Sequence, residues 1–418
     1  MNFRNSERSV ELTGQVRQFM EEEVIPNEKR YHQEIAESGE PYRRPPIMEE
    51  LQSKARGAGL WNLFLQSTEW GGLGLSNVEF APICEQMSRS GLFGLEVFNC
   101  HPPETGNIST LVAGATPEQQ QRWLVPLLAG EITSCFSMTE PDVASSDARN
   151  IRSRIERDGD EYVINGRKWF STGAARDTCE LCLFVGVTDP DATPAPEQAM
   201  VLIPLDTPGV EIIRTMTVFG YQQPISQGEI SFTDVRVPAE NRIRLGGEDG
   251  FALAQKRLGT GRVHHSMRAI GMGERALEAM CKRVASREAF GMRLADQGVI
   301  RDWIARSRIE LEQARLLTLK AAWMLDEVGG SEARQEIAAI KVAAPQAAVN
   351  VFDRAIQAHG AAGVSQDTVL GELWAQARTI RIADGPDEVH MRSLGRWELK
   401  AQLAGTPSQV PAGALAAS

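Results

Sequence analysis

Between about residues 131 and 245 the hydrophobic period of the chain changes, and no other feature limits the possible folds as much. On either side, apolar residues recur at helical spacing. SERSVELTGQVRQFMEEEVIP reads as a helix stopped at Pro26, and LQSKARGAGLWNLF leads into the loop EWGGLGLS. In 300–328, Ile300, Ile304, Ser307, Leu311, Ala314, Thr318, Ala321, Leu325 and Val328 fall on one stripe, and a second long helix is expected from about Glu332 to His359. Inside the interval the pattern becomes short β-rich segments: IRSRIER, EYVI, KWFST, CELCLFVGV, AMVLIPL, VEIIRTMTVF and EISFTDVRV. Asp158-Gly159 and Asn165-Gly166 supply hairpin signals between them. The expected class is α+β, mainly α: an N-terminal helical domain over 1–130, a middle antiparallel β domain over 131–245 and a C-terminal four-helix bundle over 246–402. Residues 403–418, small and Pro-containing, are expected to be a disordered tail.

A chain of 418 residues exceeds what one hydrophobic core usually organises, which agrees with this division. Its 44 basic and 55 acidic residues leave a formal charge of -11, which argues against general affinity for nucleic acid or anionic membranes. No apolar run is long enough to span a bilayer, and the start is too acidic for a transit peptide, so a cytoplasmic protein is expected. The six cysteines are scattered, as in a reduced chain. Cys179 and Cys182 form a single CxxC in a strand-like stretch, where an odd offset predicts opposite faces and core packing. His264 and His265 are adjacent rather than three or four apart, so no metal site is expected from them.

Three stretches carry chemical information. GMGERA, residues 271–276, has the letters of a dinucleotide-binding GxGxxA but lies inside a helical pattern with no strand before it, so it is not expected to bind one. FSMTEPDVASSDARN, residues 136–150, passes from a strand into a loop rich in hydroxyls and backbone amides available to a ligand. RIADGPDEVH, residues 381–390, interrupts two helical runs with Asp384, Gly385 and Pro386 and crowds Asp384, Asp387 and Glu388 into one break.

Taken in order, these stretches resemble the signatures of the acyl-CoA dehydrogenase family. MTEPDVASSD is similar to the family's flavin loop, NGRKWFSTGA to its second flavin-contacting strand, SREAFG to its R-x-x-F-G subunit contact, QAHGAAG to its Q-x-x-G-G-x-G, and ADGPDEVH to its catalytic loop. VHH, LTLKAA, IKVAAP, AAGVSQD and ADGPDEVH bring it nearest to the subgroup of family members ten and eleven. The resemblance implies that family's three-domain fold and an FAD-dependent acyl-CoA dehydrogenase of fatty-acid β-oxidation type, making a trans-2-enoyl-CoA. Asp384 would take the α proton while the β hydrogen leaves as hydride to flavin N5. Many relatives have Glu at this position, and Asp reaches less far by one C–C bond, roughly 1.5 Å. Some relatives carry the base on a helix, at the position of Gly261, which has no acid to offer.

The same resemblance implies FAD contacts from Phe136, Met138, Thr139, Ser145, Phe170, Ser171 and Thr172, with Pro386 and Glu388 beside the catalytic loop. Arg287, Phe290, Gln357 and Gly360 would reach the FAD of a neighbouring subunit in a homodimer or homotetramer. Gly298 stands where relatives have a glutamine on the adenine side. Ser145, Ser146, Gly259, Thr260, Gly261, Arg262 and Gly385 are the expected acyl-CoA contacts, Gly385 through its amide on the thioester carbonyl. An electron-transfer flavoprotein is the expected electron acceptor, and no metal, nucleic-acid or membrane partner is expected. A flavin oxidase of the superfamily, such as nitroalkane oxidase, is the nearest alternative activity. A flavin-free helical scaffold is the alternative from another class. Ala383, where many relatives carry an aromatic residue, leaves room beside the base for a bulkier acyl chain.

Overall fold

The computed structural model describes residues 5–193, 195–222, 224–244 and 250–405, and for 250–258 the helix alone. The expected tail therefore falls, beyond residue 405, outside the described residues. Helices α1 (Glu7–Phe19), α2 (Glu28–Ser38), α3 (Pro46–Gly57), α4 (Asn77–Met87), α5 (Gly91–Val97), α6 (Glu104–Gly114), α7 (Pro117–Gln119) and α8 (Val125–Ala129) come first. The start of α4 shows how sequence fixes position as well as conformation. Ser76 and Glu79 form a capping box, and Asp326, far along the chain, accepts from the amides of Asn77 and Val78.

Eight strands follow: β1 (Thr133–Ser137), β2 (Arg154–Asp158), β3 (Glu161–Thr172), β4 (Cys179–Asp189), β5 (Glu197–Pro204), β6 (Val210–Thr215), β7 (Gln227–Pro238) and β8 (Arg242–Ile243). They form one sheet in the order β6-β7-β3-β1-β4-β5-β8, with β2 pairing β3 and β4. The sheet is mainly antiparallel, but β1 and β2 run parallel to β4. Alternation along β4 divides the core. Leu181, Leu183, Val185 and Val187 face the helical cluster, whereas Cys182 and Phe184 face a second cluster within the β domain.

Two local expectations fail, both at bulges. Asp158-Gly159 does turn β2 into β3, but Asn165-Gly166 lies inside β3. The register against β7 shifts there, and a Cβ on Gly166 would collide with Ser153, so the glycine serves a bulge and a close approach rather than a turn. In β4, Cys179 and Leu181 oppose the consecutive residues Thr133 and Ser134, leaving Glu180 as the extra residue. That insertion reverses the alternation, and Cys179 packs against the same cluster as Cys182.

The C-terminal part opens with α9 (Gly250–Ser286), passes through a hairpin of β9 (Glu288–Ala289) and β10 (Met292–Arg293), and continues with α10 (Gly298–Val328), α11 (Arg334–His359), α12 (Leu370–Ile380) and α13 (Asp387–Leu403). Six stripe positions of α10 are buried: Ile300, Ser307, Leu311, Ala314, Thr318 and Ala321. GMGERA lies well inside α9, where Gly271 and Gly273 let α4 and the Leu311 side chain come close. No helix among the described residues is long and apolar enough to cross a membrane.

Candidate active site

The break after α12 separates its three acids by environment. Asp387 is buried in the first turn of α13, where its Oδ2 accepts from Arg381 Nε at 2.6 Å, while Glu388 is exposed. Asp384 faces inward: its Oδ2 is 3.0 Å from Nε2 of His265, and its side chain keeps 19 % exposure. Asp384 and Gly385 both have positive φ, 56° and 102°. A left-handed residue with a Cβ costs on the order of 1–2 kcal/mol, and Asp is among the types that tolerate it best. Side chains from three helices hold this conformation. Arg262 Nε donates to the Asp384 carbonyl at 3.1 Å, His390 Nε2 lies 3.2 Å from the same oxygen, and Lys341 Nζ donates to the carbonyls of Ile380 at 2.6 Å and Gly385 at 3.0 Å. Burial lowers the pKa of Lys341 to about 8 and that of His390 to about 4, so His390 is a neutral donor here.

The face of α9 toward this loop carries Gly261, Arg262, His265 and Arg268. A Cβ on Gly261 would lie 3.3 Å from Asp384 Oδ2, so the helix approaches the carboxylate closely. His265 is hydrogen-bonded through Nδ1 to Arg268 and through Nε2 to Asp384. Its neighbour His264 turns the other way, onto the ring of Phe80 at 5.1 Å. Gly259 and Thr260 lie one turn before Arg262, half-buried on α9.

A second group forms on the sheet. Phe136 of β1 is in register with Thr172 of β3, Ser137 Oγ is 2.8 Å from Ser171 Oγ, and the Trp169 amide donates to the Thr139 carbonyl at 3.0 Å. The register of β3 shifts between Lys168 and Ser171, and Phe170 there has φ 49° and an exposed ring packed edge-on to Trp169. Thr172 Oγ1 donates to Gln227 Oε1 at 2.9 Å. Phe136, Met138, Thr139, Phe170 and Thr172 thus share one surface, whereas the Ser171 side chain, fully buried against Ser137, offers no hydroxyl to it. Ser145 does not present a spare hydroxyl to it: Oγ accepts from the Glu140 amide and donates to the Glu140 carbonyl, closing its own loop, while Ser146 is exposed. α12 connects this surface to the Asp384 loop, since Trp374 packs on Phe219 at 4.9 Å in the turn leading to β7 and Gln227.

Sequence reasoning overlooks the residues that hold both groups. Glu140 accepts from Lys168, from the amides of Arg152 and Ser153 and from Ser153 Oγ, and Lys168 also donates to the Met138 carbonyl at 2.9 Å. This buried pair anchors the loop after β1 onto β3. His265, Arg268, Lys341 and His390 are likewise missed, although the i, i+3, i+6 spacing of Arg262, His265 and Arg268 is legible as one helix face.

Four expected residues lie elsewhere. Arg287 and Phe290 are exposed at the hairpin after α9, and Gln357 and Gly360 are exposed at the end of α11. Arg283, donating to the His359 carbonyl at 3.3 Å, holds these two segments together. Some twenty residues of α9 separate them from His265, roughly 30 Å of helix.

Comparison with known proteins covers all three parts. Residues 6–131, 135–235 and 248–399 match the family models described as the N-terminal, middle and C-terminal domains of acyl-CoA dehydrogenase. The chain is 50 % identical over 400 residues to a probable acyl-CoA dehydrogenase, FadE2, of Mycobacterium tuberculosis, covering 96 % of this chain and 97 % of that one. It is 48 % identical to acyl-CoA dehydrogenase family member 11 of Gallus gallus over 95 % of its own length, but spans only 51 % of that relative. A solved structure of a putative acyl-CoA dehydrogenase from Mycobacterium abscessus superimposes with a TM-score of 0.91 at 47 % identity, covering 96 % of this chain and 100 % of that one. Butyryl-CoA dehydrogenase from Megasphaera elsdenii, at 24 % identity and a TM-score of 0.79 over 96 % of this chain and 100 % of its own, shares the fold.

Proposed function

The chain belongs to the acyl-CoA dehydrogenase family, and from that premise we propose that it dehydrogenates an acyl-CoA between the α and β carbons with Asp384 as the base. The enzymes of this family are FAD-dependent, and the residues present fit that cofactor. A backbone-rich surface with exposed Phe170, exposed Thr139 and the half-buried hydroxyl of Thr172 offers a flat aromatic contact and polar edges suited to a flavin ring. Bound FAD would supply the acceptor for the hydride leaving the β carbon.

The remaining work is asked of the chain itself. An α proton beside a thioester is weakly acidic, so its removal needs a positioned carboxylate together with a donor to the developing enolate oxygen. Asp384 is the base in this reading, and the Gly385 amide is the donor to the thioester carbonyl. The single observation that carries it is that Asp384 alone of the three acids in the break faces α9, on a loop held by Arg262, Lys341 and His390. The closeness of Gly261 fits the same reading: α9 meets that side of the carboxylate with a glycine, and a short Asp can occupy the space. Ala383 beside it leaves room for a long or branched acyl chain, and an electron-transfer flavoprotein is the proposed electron acceptor.

The test is anaerobic single-turnover reduction of the flavin with a panel running from butyryl-CoA to palmitoyl-CoA and including isobutyryl-CoA. Asp384→Asn should slow the fastest member by about a hundredfold or more, the contribution of a positioned base, with FAD still bound. Asp387→Asn should not. If Asp384→Asn is reduced as fast as the parent, the base is misassigned. Rapid peroxide release in air, with little transfer to an artificial acceptor, would point to the oxidase instead.

A further inference from the structure

We infer that His265 is the positioning residue for the base, as the middle of a chain Arg268–His265–Asp384 in which the arginine fixes the tautomer of the imidazole. The inference rests on the reading of Asp384 as base and names what sets its orientation. A guanidinium has five N–H donors and no acceptor, so Nδ1 of His265, bonded to Arg268, must carry a lone pair. The proton of a neutral ring then sits on Nε2, 3.0 Å from Asp384 Oδ2, and the imidazole can only donate to the carboxylate. A cationic ring would turn a second N–H against Arg268.

The surroundings support a neutral imidazole. The ionisable groups acting on His265 are Arg268 on its own helix, Asp384 on the loop and Lys341 on α11. Its neighbour His264, packed on Phe80 of α4, is lowered by burial to about 3 and is neutral, and the Cys84 thiol of α4, which burial pushes up to about 12, meets Arg268 as a neutral group. Arg262 and His390 hold the backbone of the same loop from α9 and α13. Burial, with Arg268 beside it, lowers the pKa of His265 to about 4, whereas Arg268, lowered by burial to about 10, is still protonated at neutral pH.

The consequence is specific to a short base. A carboxylate on one methylene must present the same oxygen every time, because it has less reach with which to correct its aim. A neutral donor on Oδ2 holds that oxygen and favours the ionised form modestly. A cation in the same place would favour it more strongly and weaken the base.

The experiment uses the FAD-loaded enzyme and two substitutions. His265→Leu removes the donor at similar volume, and His265→Gln replaces it with an amide that can donate to Asp384 and accept from Arg268. The rate of anaerobic flavin reduction by the fastest acyl-CoA of the panel is followed against pH. In His265→Leu the limiting rate should fall about tenfold, and the pH at which the rate reaches half its maximum should move up by about one unit. His265→Gln should recover most of both. Hydrogen exchange at C2 of His265, read by mass spectrometry, gives a signal independent of turnover: no titration in the parent down to about pH 5, and titration nearer the ordinary histidine range in Arg268→Met.

A rate loss in His265→Leu with an unmoved pH midpoint and no rescue by Gln would reduce His265 to packing. Titration of the parent's His265 near pH 6.5 would also overturn the inference. Both outcomes leave the base assignment standing as long as Asp384→Asn is inactive. If Asp384→Asn is reduced as fast as the parent, the base assignment and this inference fall together.

Discussion

The two ends of the face that α9 turns to the described residues are built on opposite plans. At the Arg262–Arg268 end, backbone carbonyls and a carboxylate are met by Arg262, His265, Lys341 and His390 from the same chain, and the helix runs so close to the base that a Cβ on Gly261 would stand 3.3 Å from its Oδ2. At the hairpin end, Arg287 is exposed and Phe290, with φ 54°, is fully exposed. An aromatic ring left in water in a strained backbone conformation is expensive to keep unless something covers it. The first end is thus self-sufficient, and the second has the form of a surface made for another molecule. We propose that the occupant of the second end is the FAD of a neighbouring subunit.

The self-sufficient end should be the more fragile in catalysis. Lys341→Met leaves the carbonyls of Ile380 and Gly385 without their donor and lets the loop relax. A shift of about 1 Å at a reacting group can lower a rate about a hundredfold, and that is the loss expected in single-turnover reduction. The stability effect has its own pH signature. Lys341 titrates near 8 when folded and near 10.5 when unfolded, so between those values the unfolded chain binds the extra proton and parent stability rises with pH. The Met variant lacks this gain, so the parent's advantage over it should grow by up to about 3 kcal/mol from pH 8 to pH 10.5. A constant difference in denaturant unfolding across that range would mean that burial does not lower the pKa of Lys341.

At the open end the expected loss is in binding. Arg287→Ala removes a guanidinium suited to pairing with a phosphate, and a charge-assisted hydrogen bond of about 1.5–3 kcal/mol corresponds to roughly tenfold or more in FAD affinity. The rate of the FAD-loaded fraction should change little. Light scattering should find a dimer or tetramer. A monomer that retains one FAD per chain would erase the contrast between the ends, because the hairpin would then have no neighbour to serve.

The architecture is legible in the sequence because burial imposes a period. The stripe on α10 and the alternation in β4 both follow from which faces are covered. Features that depend on a partner far along the chain are not legible. Asn165-Gly166 looks like a turn until β7 and Ser153 are placed beside it, and Glu180 becomes a bulge only against β1. The catalytic end shows the same division. Asp384 announces itself through a helix break, but His265 in the sequence alone invites only the question of metal binding, where its neighbour His264 counts. Its actual partners are three residues away on the helix and 119 positions away on the loop, and that second contact exists only once the bundle has formed.

The smallest effect makes the sharpest distinction between the two ends. Gly261→Ala places a methyl group 3.3 Å from Asp384 Oδ2, tight enough that the carboxylate must move by a few tenths of an ångström. Alanine in place of an interior helical glycine favours the helix by about 0.8–1 kcal/mol, so the variant should be at least as stable as the parent. Its reduction rate should nonetheless fall a few-fold, because the displaced oxygen is the one proposed to meet the α proton. Gly298→Ala, at the start of α10 beside the hairpin, meets nothing within 4 Å and is the matched control, with an unchanged rate. A gain in stability at 261 with no loss of rate would mean that Asp384 Oδ2 does not stand in the productive position, and the self-sufficient end would then have to be understood as structural support for a base elsewhere.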